Sequence, residues 1–133
     1  MRPEYPAERS PLHDAAMDDD ATAIEALLEG GESPDVQDRQ GFTPLHLAAQ
    51  EYSLAAAAAL LRAGASVDLE DSFGNTPLFV GVFNSNGRGE LIRLLRSYGA
   101  DPLHTNTSGQ TPVGLARLIA NFDVAQFFLD VTE

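Results

Sequence analysis

Apolar and polar positions along this chain recur with a long period. Four segments share one pattern, a hydroxyl residue followed by proline and an apolar or small run. They are Ser10-Pro11-Leu12-His13 with Ala15-Ala16, Thr43-Pro44-Leu45-His46 with Ala48-Ala49, Thr76-Pro77-Leu78-Phe79, and Thr111-Pro112-Val113-Gly114. The prolines stand 33, 33 and 35 residues apart. A second feature keeps step with the first: Leu27-Leu28 with Gly31, Leu60-Leu61 with Gly64, and Leu95 with Gly99. The phase between them is constant except for two extra residues within 84–89, a stretch rich in Asn and Gly. Two phase-locked signatures over four copies mark an internal repeat.

Each position has a local physical reason. Proline at the first helical position sacrifices no hydrogen bond, and the Ser or Thr before it is a good N-cap. Leu45, Ala48 and Ala49 fall at helical spacing and give a narrow apolar stripe. Larger residues then define a second helix: Ile24, Leu27 and Leu28; Leu60 and Leu61; Leu91, Ile92, Leu94 and Leu95. Gly31, Gly64 and Gly99 are placed to stop it as C-terminal caps. Gly41, Gly74 and Gly109 precede each proline by three residues, where a tight turn needs a permissive backbone. The unit is therefore helix, turn, helix, loop. One such unit cannot bury its own apolar face, whereas four stacked units can.

This pattern resembles the ankyrin repeat, closest in Asp38-Arg39-Gln40-Gly41-Phe42-Thr43-Pro44-Leu45-His46-Leu47-Ala48-Ala49. The resemblance runs from about residue 10 to 130. It implies an all-α repeat solenoid of helix-turn-helix units with protruding finger loops at 33–42, 66–75 and 101–110. An irregular segment 1–9 would precede one domain, 10–133, with repeats near 10–37, 38–70, 71–105 and 106–133. In the last repeat a final helix carries Phe122, Val124, Phe127, Phe128 and Leu129. This is a wide apolar stripe for a terminal unit, either buried inside or left for a partner.

Charge narrows the function. The chain holds 20 Asp and Glu against 8 basic residues, all Arg, for a formal charge of −12. Such a surface disfavours nucleic acid and anionic membranes. There is no Cys, hence no disulfide, thiol chemistry or thiolate metal site. No apolar stretch has the length of a spanning helix and the N-terminus has no signal-like apolar core, so a cytoplasmic location is expected.

The candidate chemistry is thin. His13 and His46 occupy the position at which the resemblance implies a structural histidine, and His104 lies in a loop. No Ser-His-Asp set offers a nucleophile, since each motif Ser or Thr already has a capping role. Asp18-Asp19-Asp20 lacks the alternating ligands of a calcium loop and reads as capping plus a solvated cluster. Enzyme activity, metal and cofactor are not expected.

What the resemblance implies is protein binding, by residues flanking the finger glycine and ending the first helix. Carried onto this chain these are Arg39, Gln40, Phe42, Gln50 and Glu51; Ser72, Phe73, Asn75, Phe83 and Asn84; and Thr107, Ser108 and Gln110. Phe42 and Phe73 stand out as aromatic residues at finger tips, either anchoring a partner or packing sideways on a neighbouring finger. The acidic surface favours a basic protein partner, with Asp35, Asp38, Asp68, Glu70 and Asp71 placed in or beside the fingers. A bacterial immunity protein neutralising a basic toxin is an alternative with the same features. A homodimer through the apolar last helix is a second alternative, with a monomer favoured.

Overall fold

The computed structural model describes residues 9–119 and 121–132. The expected irregular segment, Arg9 apart, lies outside the described residues. Among the described residues there are seven α-helices, the first six in pairs: α1 (Pro11–Met17) with α2 (Ala21–Glu29), α3 (Pro44–Glu51) with α4 (Leu54–Arg62), α5 (Pro77–Phe83) with α6 (Glu90–Ser97), and then α7 (Pro112–Leu118). A short 3-10 helix, Val124–Phe128, stands where the final helix was expected. Among the described residues there is no strand. Helices α1, α3, α5 and α7 pack successively in one layer, α2, α4 and α6 in the other.

The proline-led helices begin as their sequences require. Ser10, Thr43, Thr76 and Thr111 each cap the backbone N–H three residues on. In the first two units the histidine completes a reciprocal capping box, its Nδ1 accepting from the Ser10 or Thr43 N–H. That fixes the proton on Nε2, which donates across the repeat boundary. His13 reaches the Phe42 carbonyl at 2.7 Å, and His46 reaches the Asn75 carbonyl at 2.8 Å. Each buried imidazole thus joins its own helix start to the next finger.

The core is made of small residues in the middle and larger ones between layers. Ala48, Ala49, Ala56 and Ala57 are fully buried beside Leu45, Leu60, Leu78, Leu91, Ile92 and Leu95. Alanine there lets neighbouring helices approach closely. Glycine is required at two finger turns: Gly41 and Gly74 have φ of 82° and 76°, and a Cβ at either would press on the next finger's backbone.

The Asp18–Asp20 run does more than cap its own helix. Asp20 accepts from the Ala23 N–H at the start of α2. Asp19, with φ of 56°, accepts at 2.9 Å from the Ala56 N–H in the first turn of α4, one repeat away. Ser53, the residue preceding α4, makes no side-chain cap of its own. Repeat one therefore supplies the cap that repeat two lacks.

A concave candidate binding surface

The fingers are shaped by one carboxylate or amide per loop. Asp38 accepts from the Gln40 and Phe42 N–H groups, Asp71 from Phe73 and Asn75, and Asn106 from Ser108 and Gln110. Successive fingers are then tied backbone to backbone: Ser72 N–H donates to Gln40 O, and Thr107 N–H to Phe73 O. Fingers built this way are rigid before any ligand arrives.

This use of the acids corrects the expectation that they are displayed to a partner. Asp38 and Asp71 are buried and committed to their own loops. Asp35 accepts from Ser66, and Asp68 accepts from the Asp101 N–H. Burial pushes the Asp68 carboxyl up, partly opposed by that N–H. Glu70 meets His104 Nε2 at 2.7 Å. Finger carboxylates here hold the loops together.

Six of the candidate residues converge. Phe42, Gln50, Phe73, Asn75, Phe83 and Asn84 line a groove of about 400 Å³ between the fingers and the ends of α3 and α5, together with Asp71, Phe79 and Val80. Phe73 is 58% exposed and Phe83 69% exposed. Of the two readings of Phe42, packing is the one its surroundings favour: it is half-buried, its ring 6.0 Å from that of His46. Packing on a neighbour is what holds it, and only its edge is left for the groove. Arg39, Gln40, Glu51, Ser72, Thr107, Ser108 and Gln110 are exposed but are not among the residues lining this groove.

Phe79 and Val80 were not foreseen. Phe79 occupies the register of His13 and His46 but cannot donate to the next finger. Its ring forms groove wall instead. The signal was present in the sequence as a departure from the repeat, legible only once the pocket's neighbours are known. Asn106 Nδ2 to Asn75 Oδ1, at 2.8 Å, is among the bonds that hold this boundary.

The expected apolar last helix is also corrected. Val124 and Phe128 are buried and Phe127 is half-buried, leaving Phe122 and Leu129 exposed. The two-residue insertion receives this segment: Gly87 lies against the Phe122 ring and Gly89 against the Phe127 ring, where a Cβ would collide. Arg96 pairs with both Asp130 oxygens at 2.7 and 2.8 Å and donates to the Phe127 carbonyl. That guanidinium holds the Asp130 carboxyl well below its ordinary value, at about 2. The stripe is thus largely occupied inside the chain.

A second hollow, about 420 Å³, lies between α2 and α4 and is lined by Glu25, Glu29, Glu32 and Arg62. It offers no aromatic anchor, so the concave groove is the better candidate. Among the described residues no group of three His, Cys, Asp or Glu is placed to hold a metal ion. No helix among them is long and apolar enough to cross a membrane.

A family model of ankyrin repeats, in three copies, matches residues 12–106. The chain belongs to the ankyrin-repeat family. Ankyrin repeats generally mediate protein–protein interaction and are typically non-catalytic. In ankyrin terms the histidine bridges join the first three repeats, and the groove lies between repeats two and three. No curated protein matches the chain.

Proposed function

We propose that this ankyrin-repeat chain is a non-catalytic protein-binding module that takes an apolar side chain of a basic protein partner into its concave groove. The observation that carries the reading is the exposure of Phe73 and Phe83 around a hollow whose walls are already fixed. Exposed aromatic rings around a preformed hollow have no folding reason and are typical interface anchors. Preformed fingers limit the ordering cost of binding. Of the remaining candidates, Arg39, Gln40, Ser72, Thr107, Ser108 and Gln110 form the polar rim. The net charge of −12 favours a cationic partner and faster encounter at low salt.

The test is affinity capture from the source cells with the native chain and with Phe73→Ala combined with Phe83→Ala. A specific partner retained by the native chain should be lost by the double variant, whose melting temperature stays within a few degrees. Equal capture by both would refute the groove.

A further inference from the structure

The concave surface is graded from one end of the stack to the other. The residue just after the first helix, or ending it, is Asp18 in repeat one, Glu51 in repeat two, Asn84 in repeat three and Ile119 in repeat four. The position before it runs Met17, Gln50, Phe83, Leu118. Both ends of this gradient are open to a partner. Asp18 and Glu51 are exposed carboxylates, whereas Phe83 is 69% and Leu118 72% exposed. Fifteen of the 20 acids, but only four of the eight arginines, precede residue 72.

The acidic end works against its own helices. Asp18 is the C-cap of α1 and Glu51 the last residue of α3, where the helix dipole is already negative. Neither helix has a basic residue in its last turn. Helices α2 and α5 also lack one, whereas α4, α6 and α7 carry Arg62, Arg96 and Arg117 there. Among the described residues two arginines lie beside this end and leave both carboxylates exposed: Arg9 donates to Asp38 and to the Met17 sulfur, and Arg88 stands 3.7 Å over the ring of Tyr52, the C-cap of α3. Exposed carboxylates at the C-terminal ends of two helices are a place where further cations are favoured. At the other end, Gly114, Leu115, Arg117 and Leu118 are among the residues that line a hollow of about 400 Å³. Exposed carboxylates at one end and exposed apolar surface at the other suit one ligand.

We infer that the partner segment is bipartite, with basic residues over Asp18 and Glu51 and apolar side chains at Phe83 and Leu118. This rests on the concave face being the binding surface, and adds the polarity of what lies on it. Three helix-to-helix steps of 8–10 Å separate α1 from α7, roughly 24–30 Å. An extended segment of about eight or nine residues covers that distance.

Fluorescein-labelled peptides of that length test the inference against the native chain by anisotropy. The joined probe carries three arginines, a Gly-Ser-Gly linker and Leu-Phe-Leu. Two controls replace either the arginines or the apolar residues with Ser. The joined probe should bind at least about tenfold more tightly than either control, because each end raises the effective concentration of the other. Asp18→Asn with Glu51→Gln should reduce it to the affinity of the apolar control. Phe83→Ala with Leu118→Ala should reduce it to that of the arginine control. A joined probe that binds no better than the arginine control would overturn the bipartite segment. The apolar control then separates the two readings: if its binding still depends on Phe73 and Phe83, the groove survives alone, and if not, both fail. Light scattering that shows a peptide-free dimer dissociated by Leu118→Ala would also overturn it, by assigning the apolar end to a second copy.

Discussion

The boundary between repeats two and three and the boundary between three and four solve the same problem differently. At the first, His46 caps its own helix and donates to the Asn75 carbonyl, a buried link inside the stack. At the second, Phe79 takes the histidine's place and lines the groove. The hold moves outward, to the Asn75–Asn106 amide pair and the Arg96–Asp130 clasp on the far layer. Where the repeat pattern is kept, the side chain serves the stack. Where it is broken, the same position holds a buried ring that lines the groove.

That contrast can be broken by mutation. The largest effect is expected for His46→Ala, which strands the Thr43 N–H and the Asn75 carbonyl in the interior. Urea unfolding should show a loss of about 2–4 kcal/mol. Phe79→Ala, at the equivalent site, severs no bridge to the next finger, and its loss, about 3 kcal/mol, comes from the space left by a buried ring. Asp19→Ala removes the cross-repeat cap of α4 and places Ala at a left-handed φ, for a loss of about 1–2 kcal/mol. Arg96→Ala should act locally, with hydrogen exchange in 112–118 and 124–128 rising roughly tenfold while α3 is unaffected.

The pH dependence sharpens the comparison further. Burial pushes the His46 pKa below its ordinary 6.5, against the Asn75 carbonyl and the charges of Asp71 and Asp38. The unfolded chain therefore takes up a proton at His46 more readily than the folded one. The stability conferred by neutral His46 is present above about pH 6.5 and is lost as pH falls below it. Melting temperature should decline through that window in the native chain and decline less in His46→Gln. Asp130 behaves separately: its stabilising pair persists until pH drops through the ordinary carboxylate value of 3.8 toward 2. The smallest effect on stability is expected for Phe73→Ala and Phe83→Ala, within about 0.5 kcal/mol each for exposed side chains.

The repeat was legible because its devices are local. A cap followed by Pro11 or Pro44, a stripe such as Leu45-Ala48-Ala49 and a turn such as Gly41 act within one unit and recur in phase. What spans units was not legible. Asp19 reads as one member of a charged run until α4 is seen to lack a cap. Asp38 and Asp71 read as display charges until their loops are seen to close around them. Gly87 and Gly89 read as a loose insertion until Phe122 and Phe127 are found against them. The candidate groove was half visible. Phe73 and Phe83 follow from register alone, whereas Phe79 was a blemish in the motif whose meaning depends on its neighbours.

The division of labour between kept and broken repeat positions is tested most directly by measuring capture and stability on the same two variants. Partner capture is compared for His46→Ala and Phe83→Ala at low temperature, where both are folded, beside their urea midpoints. His46→Ala should lose stability and keep capture, and Phe83→Ala should keep stability and lose capture. A Phe83→Ala protein that unfolds early, or captures its partner as the native chain does, would contradict it.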